Sequence, residues 1–204
     1  VSCGSGECHA HLAILANQGK QMNFKRAKIR ILAMDLKGCL YLNHFSHSHK
    51  ICYFFRAISR LGDGPFWYTM LALAWWVRGW DFSFSIVYVL LGTLVGTAIY
   101  RILKAKTIRP RPYQVHQVIR LGERPLDHFS FPSGHTLHAV LATTVIGYIE
   151  PLLLLLMLPF TVLVALSRMI LGLHYPSDVM VGALIGAVVG GLIILCAPYF
   201  AVLL

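Results

Sequence analysis

Two histidines, one carboxylate and several cations stand in three short clusters in the second half of this sequence. The first cluster is KAKTIRPRP, Lys104 to Pro112. Arginine offers a planar fork of donors that matches phosphate oxygens. Pro110 and Pro112 stiffen the backbone on which Arg109 and Arg111 sit. A stop-transfer collar needs only charge, and Lys104, Lys106, Arg109 and Arg111 would serve as one too. The second cluster is SFPSGHT, Ser130 to Thr136. Pro132 precedes an expected helix start, so Ser133, Gly134 and His135 fall in a first turn whose backbone N–H groups lack partners. Such a terminus suits an anion. Gly134 allows close approach, Ser133 adds a hydroxyl, and His135 can hand over a proton near neutral pH. The same residues also fit an ordinary Ser N-cap with an incidental histidine. His138, one turn deeper, reads as a packed or hydrogen-bonded helix residue.

The third cluster is SRMILGLHYPSD, Ser167 to Asp178. Arg168 ends an apolar run, and Pro176 suits the first turn of the following helix. Asp178 then comes within reach of His174. A carboxylate accepting from one imidazole nitrogen fixes the tautomer and leaves the other nitrogen free to attack. A purely structural hydrogen bond is the alternative, but ionisable groups at such depth are costly and usually functional.

The elements that must position these clusters are apolar. Hydrophobic residues make up 57% of the 204 and charged residues only 13%, a balance that suits a lipid exterior better than water. The apolar residues gather in uncharged runs at 64–77, 82–100, 136–149, 151–167 and 179–204. A spanning helix takes about 20 such residues, and the two shorter runs need flanking residues such as Trp80 and His135. The expected fold class is all-α, a multi-pass transmembrane helical bundle of about five spans with a basic N-terminal interfacial segment. Residues 1–60 form that segment and residues 61–204 the transmembrane catalytic domain. Within 20–37, Ile29, Leu32, Ala33 and Leu36 share one helical face, which suits a helix lying on a membrane surface. Trp67 lies near one end of the first span and Trp75, Trp76 and Trp80 near the other, as an aromatic belt would. Gly92 and Gly96, and Gly182, Gly186 and Gly190, are spaced for close helix packing. Asn43–Lys50 holds His44, His47 and His49, read as a solvated loop rather than a metal site. LGDGP, Leu61 to Pro65, reads as a turn launching the first span.

The chain opens on Val1 rather than Met, and residues 1–20 carry no hydrophobic stretch of the signal-peptide kind. Five cysteines without a CxxC point to neither a disulfide framework nor a zinc site. The net charge of +10 fits anionic headgroups at a membrane surface or an anionic substrate; no nucleic-acid partner is expected.

Five crossings place Arg101–Ser133, residues 168–178 and the N-terminus on one face. That face then holds two histidines, a carboxylate, several cations and a helix N-terminus. The chemistry best suited is phosphoryl transfer, in which positioning and charge stabilisation dominate. Side chains can supply the cations, so no metal or cofactor is expected.

The order Lys104–x6–Arg111–Pro112, Pro132–Ser133–Gly134–His135, Ser167–Arg168–x5–His174–x3–Asp178 resembles the type 2 phosphatidic acid phosphatase (PAP2) superfamily. All three motifs are complete, over roughly Leu61 to the C-terminus. The short form resembles bacterial members of the undecaprenyl-diphosphate phosphatase and phosphatidylglycerophosphatase B kinds. The resemblance implies that His174 attacks phosphorus to form a phosphohistidine and that Asp178 orients it. His135 would protonate the leaving oxygen and then help activate water. Lys104, Arg111 and Arg168 would bind phosphoryl oxygens, assisted by Ser133 and the Gly134 backbone. Lys106 and Arg109 remain candidates for headgroup contact. The implied substrate is a membrane lipid phosphate or diphosphate, of the phosphatidate, phosphatidylglycerophosphate or undecaprenyl diphosphate class. The alternatives are a lipid phosphotransferase using the same phosphohistidine, a vanadium haloperoxidase, or a non-catalytic lipid-binding protein.

Orientation carries a conflict. All of the 18 Lys and Arg except Arg78 fall on the motif face, which the positive-inside rule would put in the cytoplasm. The resemblance implies a bacterial inner-membrane protein with its site on the extracytoplasmic face, and that is the expectation adopted.

Overall fold

The structure, a computed structural model, describes residues 5–79, 83–125 and 127–201. Their regular structure is helical, apart from one isolated bridge between Pro110 and Phe129. The chain divides into two compact units between Lys37 and Gly38. The first is described from Ser5 as the leading part of α1 (Ser5–His44). Ile29 and Leu32 are exposed there, and the segment expected to lie on a membrane is helical with only weak amphipathic bias.

The second unit holds the end of α1 and then α2 (His49–Gly62), α3 (Pro65–Arg78), α4 (Ser83–Lys106), the short α5 (Pro112–Val115), α6 (Gly134–Ile149), α7 (Leu154–Ile170) and α8 (Pro176–Ala201). Residues 38–60, grouped by sequence with the N-terminal segment, fall in this unit. The physical reason is α2, which is strongly amphipathic and buries Cys52, Ile58, Ser59 and Gly62, packing against α7.

The all-α multi-pass reading holds, with a difference in span lengths. Residues 86–106, 151–170 and 176–196 form helices long and apolar enough to cross a membrane. Helices α3 and α6 match the other two expected spans but have 14 and 16 residues, about 21 and 24 Å at the usual rise, short of a hydrocarbon core of about 30 Å. Helix α6 packs against α3, α4, α7 and α8. It is apolar on most sides because most sides are covered.

Small residues let α8 approach α6. A Cβ on Gly182 would stand 2.5 Å from the Ser133 carbonyl oxygen, and one on Gly186 2.3 Å from that of Leu137. Gly92 on α4 faces Ile193 of α8, whose Cδ1 would have to turn aside for a methyl group there. The aromatic belt needs a correction. Trp67 is buried, edge-to-face with Phe66 and Phe160, and donates its indole N–H to the Gly62 carbonyl at 2.9 Å, closing the α2–α3 turn. Trp80 lies outside the described residues.

Candidate active site

His174 sits in the turn between α7 and α8. Gly172 bends that turn with φ 73°, and a Cβ there would meet the Arg120 carbonyl oxygen at 2.8 Å, so backbone angle and space both require glycine. The backbone N–H groups of Leu173 and His174 donate to the Arg168 carbonyl at 3.0 and 3.1 Å, closing the end of α7. The His174 side chain is 2% exposed. Its Nδ1 lies 2.6 Å from the Ser130 carbonyl oxygen. A carbonyl only accepts, so Nδ1 carries the proton and Nε2 keeps the lone pair. Burial first, then the positive charges of Arg168, Arg111, His135 and Lys104, hold this imidazole well below its ordinary pKa. His174 is therefore a neutral base with one free nitrogen.

Asp178 does not take the place expected for it. Its Oδ2 stands 3.9 Å from His174 Nδ1, beyond hydrogen-bond reach. That oxygen accepts from the Tyr175 N–H at 2.9 Å, and Oδ1 accepts from Arg109 at 2.6 Å. The Ser130 carbonyl stands against His174 because the segment before α6 is tied over the start of α8. Ser133 N–H donates to the Asp178 carbonyl at 3.0 Å, and Ser130 N–H to the Arg109 carbonyl at 2.9 Å. Arg109 also donates to Ser177 Oγ at 2.8 Å and lies over the Tyr175 ring. It is committed to Asp178 and its neighbours rather than presented to a headgroup. Lys106 is exposed and is not among the residues that line the cavity of the site.

Arg111, Gly134, His135, Arg168 and His174 line one cavity of about 330 Å³. Asp63, Tyr100 and Asp127 complete its polar end, while Trp67, Tyr68, Leu71, Val89 and Leu90 make the rest apolar. Arg111, 1% exposed, donates Nη1 to the Leu173 carbonyl at 2.9 Å and Nε to the Asp127 carbonyl at 3.1 Å. Its other terminal nitrogen pairs with the Asp127 carboxylate. Lys104, expected to face a phosphate, also pairs with Asp127 and donates to Tyr100 Oη. Burial acts to raise the pKa of Asp127, but hydrogen bonds from Lys104, Tyr100 and Arg111 outweigh it and hold the carboxyl below its usual range. An anion thus already sits on two of the expected phosphate-binding cations.

Arg168 differs. It is 3% exposed and donates Nη1 to Ser59 Oγ of α2 at 2.6 Å. Its Nε is buried with no hydrogen-bond partner among the described residues. A buried donor without an acceptor costs about 1–3 kcal/mol, and an anion in the cavity is the kind of group that would satisfy it. Ser133 occupies the N-cap position of α6 without a side-chain capping bond. Its buried hydroxyl pairs with Thr136 Oγ1 at 2.9 Å, so the hydroxyl belongs to the helix start rather than to the cavity lining. His138 is the hydrogen-bonded helix residue expected, against Thr97 and the Gly134 carbonyl.

Four contributors escape a reading by motif: Ser59, Asp63, Asp127 and Ser130. Asp63, in the turn between α2 and α3, pairs through Oδ1 with His135 Nε2. Burial would raise its pKa, but the hydrogen bond and charge of His135, then Arg168 and Arg60, hold it below the usual range. Its one sequence signal is an acid between two glycines in LGDGP. Ser130 lies inside SFPSGHT but acts through its main chain. Together these groups set a lone-pair nitrogen, a second imidazole and buried guanidinium donors around a hollow with one apolar end. That arrangement suits nucleophilic transfer of an anionic group carried on a hydrophobic body.

Known proteins share both sequence and fold with this chain. It is 38% identical over 104 residues to decaprenylphosphoryl-5-phosphoribose phosphatase of Mycobacterium tuberculosis, a match covering 50% of the chain and 55% of that protein. It is 32% identical over 154 residues to sphingosine-1-phosphate phosphatase 2 of Mus musculus, covering 71% of the chain and 42% of that protein. It is 30% identical over 125 residues to undecaprenyl-diphosphatase BcrC of Bacillus subtilis, covering 61% and 64%. The chain thus spans about half the length of the curated relatives it matches. Among solved structures, LpxE of Aquifex aeolicus superposes with a TM-score of 0.67 at 27% identity, over 78% of this chain and 93% of that one. A transmembrane PAP2-type phosphatidylglycerolphosphate phosphatase of Bacillus subtilis gives 0.66 at 23% identity, over 80% and 84%, which speaks for the fold. These likenesses and the three long apolar helices mark a membrane protein. Residues 85–201, more than half of the chain and including all three clusters, match the family model of the PAP2 superfamily, and the chain belongs to that superfamily.

Proposed function

We propose that this protein is an integral-membrane lipid phosphatase that works through a phosphohistidine on His174, without a metal. The observation that carries the reading is the pairing of a free His174 Nε2 with the orphaned Arg168 Nε, both residues lining a cavity polar at one end and apolar at the other. In the first half-reaction Nε2 attacks phosphorus and the bond to the leaving oxygen breaks. His135 gives that oxygen a proton, and the dephosphorylated lipid departs. In the second, water attacks the phosphohistidine, His135 takes the water's proton, and the P–N electron pair returns to His174 as phosphate leaves. Arg168 takes the phosphoryl charge first, with the N-terminus of α6 at Gly134 assisting, and Arg111 and Lys104 contribute in competition with the Asp127 carboxylate they already hold. Asp178, held by Arg109, braces the turn carrying His174. The apolar walls take the lipid chain beside its headgroup.

The substrate class is a lipid phosphate or diphosphate, and the relatives' names favour isoprenyl carriers on the panel beside phosphatidate and phosphatidylglycerophosphate. The active face is the extracytoplasmic side of a bacterial inner membrane. The transmembrane catalytic part begins with the turn at Leu61 and is braced by α2. Purified protein in detergent and EDTA should release inorganic phosphate from at least one of these lipids, and His174→Ala should abolish release. Retained activity in that variant would sink the mechanism. Transfer of phosphate to a second lipid rather than to water would instead identify a phosphotransferase, and no release from any lipid a binding protein.

A further inference from the structure

We infer that Asp63 is a positioning residue for the acid–base step, holding His135 by Nε2 so that Nδ1 meets the leaving oxygen. The inference rests on the phosphatase reading above and adds a residue outside the three motifs and outside residues 85–201, where the family model matches. Asp63 Oδ1 is the one hydrogen-bond partner of the His135 ring among the described residues. Both residues line the cavity. With Nε2 held in that way, Nδ1 is the nitrogen left to act on a bound substrate.

Asp63 is built into place. Its N–H donates to the Arg60 carbonyl at 3.2 Å, and Tyr68 N–H donates to the Gly64 carbonyl at 3.0 Å. The Trp67 indole ties down Gly62 at 2.9 Å. The end of α2 is fixed from the other side by Arg56, which donates Nε to the Gly122 carbonyl at 2.9 Å, and by the Arg60–Glu123 ion pair at 3.2 Å. Four residues before Asp63, on the same face of the helix end, Ser59 accepts from Arg168. One edge of α2 therefore sets both the acid–base imidazole and the buried guanidinium.

When His135 is protonated, Nε2–H donates to Asp63 and Nδ1–H is the proton available to the leaving group. Nδ1–H moves to the oxygen as the P–O bond breaks, leaving a neutral ring still bonded through Nε2–H. Water then gives its proton to Nδ1 as its oxygen bonds to phosphorus, which restores the imidazolium. A carboxylate beside the ring favours the charged form. The other charged and titratable groups around the ring are Arg168 on α7, Glu123 in the loop before α6, and His174, with Arg60 on α2 facing Asp63. Burial first, and then Arg168, work against the imidazolium; Asp63 and Glu123 work for it, so loss of Asp63 removes the hydrogen-bonded part of that support.

The test compares Asp63→Asn and Asp63→Ala with wild type and His174→Ala on two substrates, a lipid phosphomonoester and an aryl phosphate. An alkoxide needs the proton and a nitrophenolate hardly does. Asp63→Asn, nearly the same shape, guards against a folding defect. Loss of kcat on the lipid ester by about 100-fold, with KM little moved, is expected from general acid catalysis, against a loss under about tenfold on the aryl ester. The His135 imidazole, followed by nitrogen NMR, should titrate about one unit lower in Asp63→Asn. Equal losses on both substrates, or an unmoved His135 titration, would overturn the inference. A wild type as inactive as His174→Ala would overturn the phosphatase reading instead, and the NMR titration would still judge Asp63.

Discussion

Gly186→Ala and Gly191→Ala form a matched pair that tests how the site is held together. Both glycines lie inside α8, so both substitutions gain the same helix propensity, about 1 kcal/mol, and this gain cancels between them. They differ in what the new methyl group meets. At Gly191 nothing lies within 4 Å. At Gly186 the Cβ would fall 2.3 Å from the Leu137 carbonyl oxygen, a main-chain atom that cannot rotate aside. An ordinary carbon–oxygen contact is about a full ångström longer, so α6 and α8 must part by roughly that much at this point. Overpacking of this kind costs about 1–3 kcal/mol, and that is the expected stability difference between the variants. Thermal unfolding in detergent measures it. The separation also reaches the chemistry, since α6 carries Gly134 and His135 while α8 begins beside His174. A shift near 1 Å in such a constellation can lower turnover about 100-fold, so Gly186→Ala should lose phosphate release and Gly191→Ala should keep it. Equal melting temperatures and equal turnover would refute the argument that the glycine stripe sets the distance between the halves of the site.

Two further predictions concern charge. Arg168→Lys removes the fork that reaches Ser59 while leaving an N–H for the cavity, and a charge-assisted hydrogen bond contributes about 1.5–3 kcal/mol. Affinity for vanadate, a phosphate mimic, should fall about 10- to 100-fold by calorimetry, and an unchanged affinity would remove Arg168 from the anion site. For His174, burial and its cationic neighbours depress the folded-state pKa well below 6.5. The unfolded chain therefore binds more protons there as pH falls below about 6.5, and stability should decline with acidification from that point. His174→Asn should flatten this slope in melts between pH 5 and 7, chosen around the ordinary histidine range, and an identical slope in wild type and variant would show that His174 is not the group responsible.

The all-helical membrane fold is legible in residue types and spacing because lipid leaves a one-dimensional record: long uncharged runs, with polar residues gathered between them. The three clusters were legible for a similar reason, as each is local and its members are fixed by covalent spacing or by a helix start. Arg111, Gly134, His135, Arg168 and His174 were named in this way, and they line one cavity. Tertiary structure decided the partners. Ser130 reaches His174 across 44 residues, Asp63 reaches His135 across 72, and Ser59 reaches Arg168 across 109. An acid in a turn or a main-chain carbonyl has no periodicity to betray its use, and a serine on an amphipathic helix reads as ordinary surface. Asp178 and Arg109 show the converse. Spacing put Asp178 near His174 and Arg109 among the cations, but one salt bridge between the two redirected both. Which donor meets which acceptor depends on ångström distances between helices, and the Gly182–Gly186 contact of α8 with α6 sets those distances only once the chain has folded.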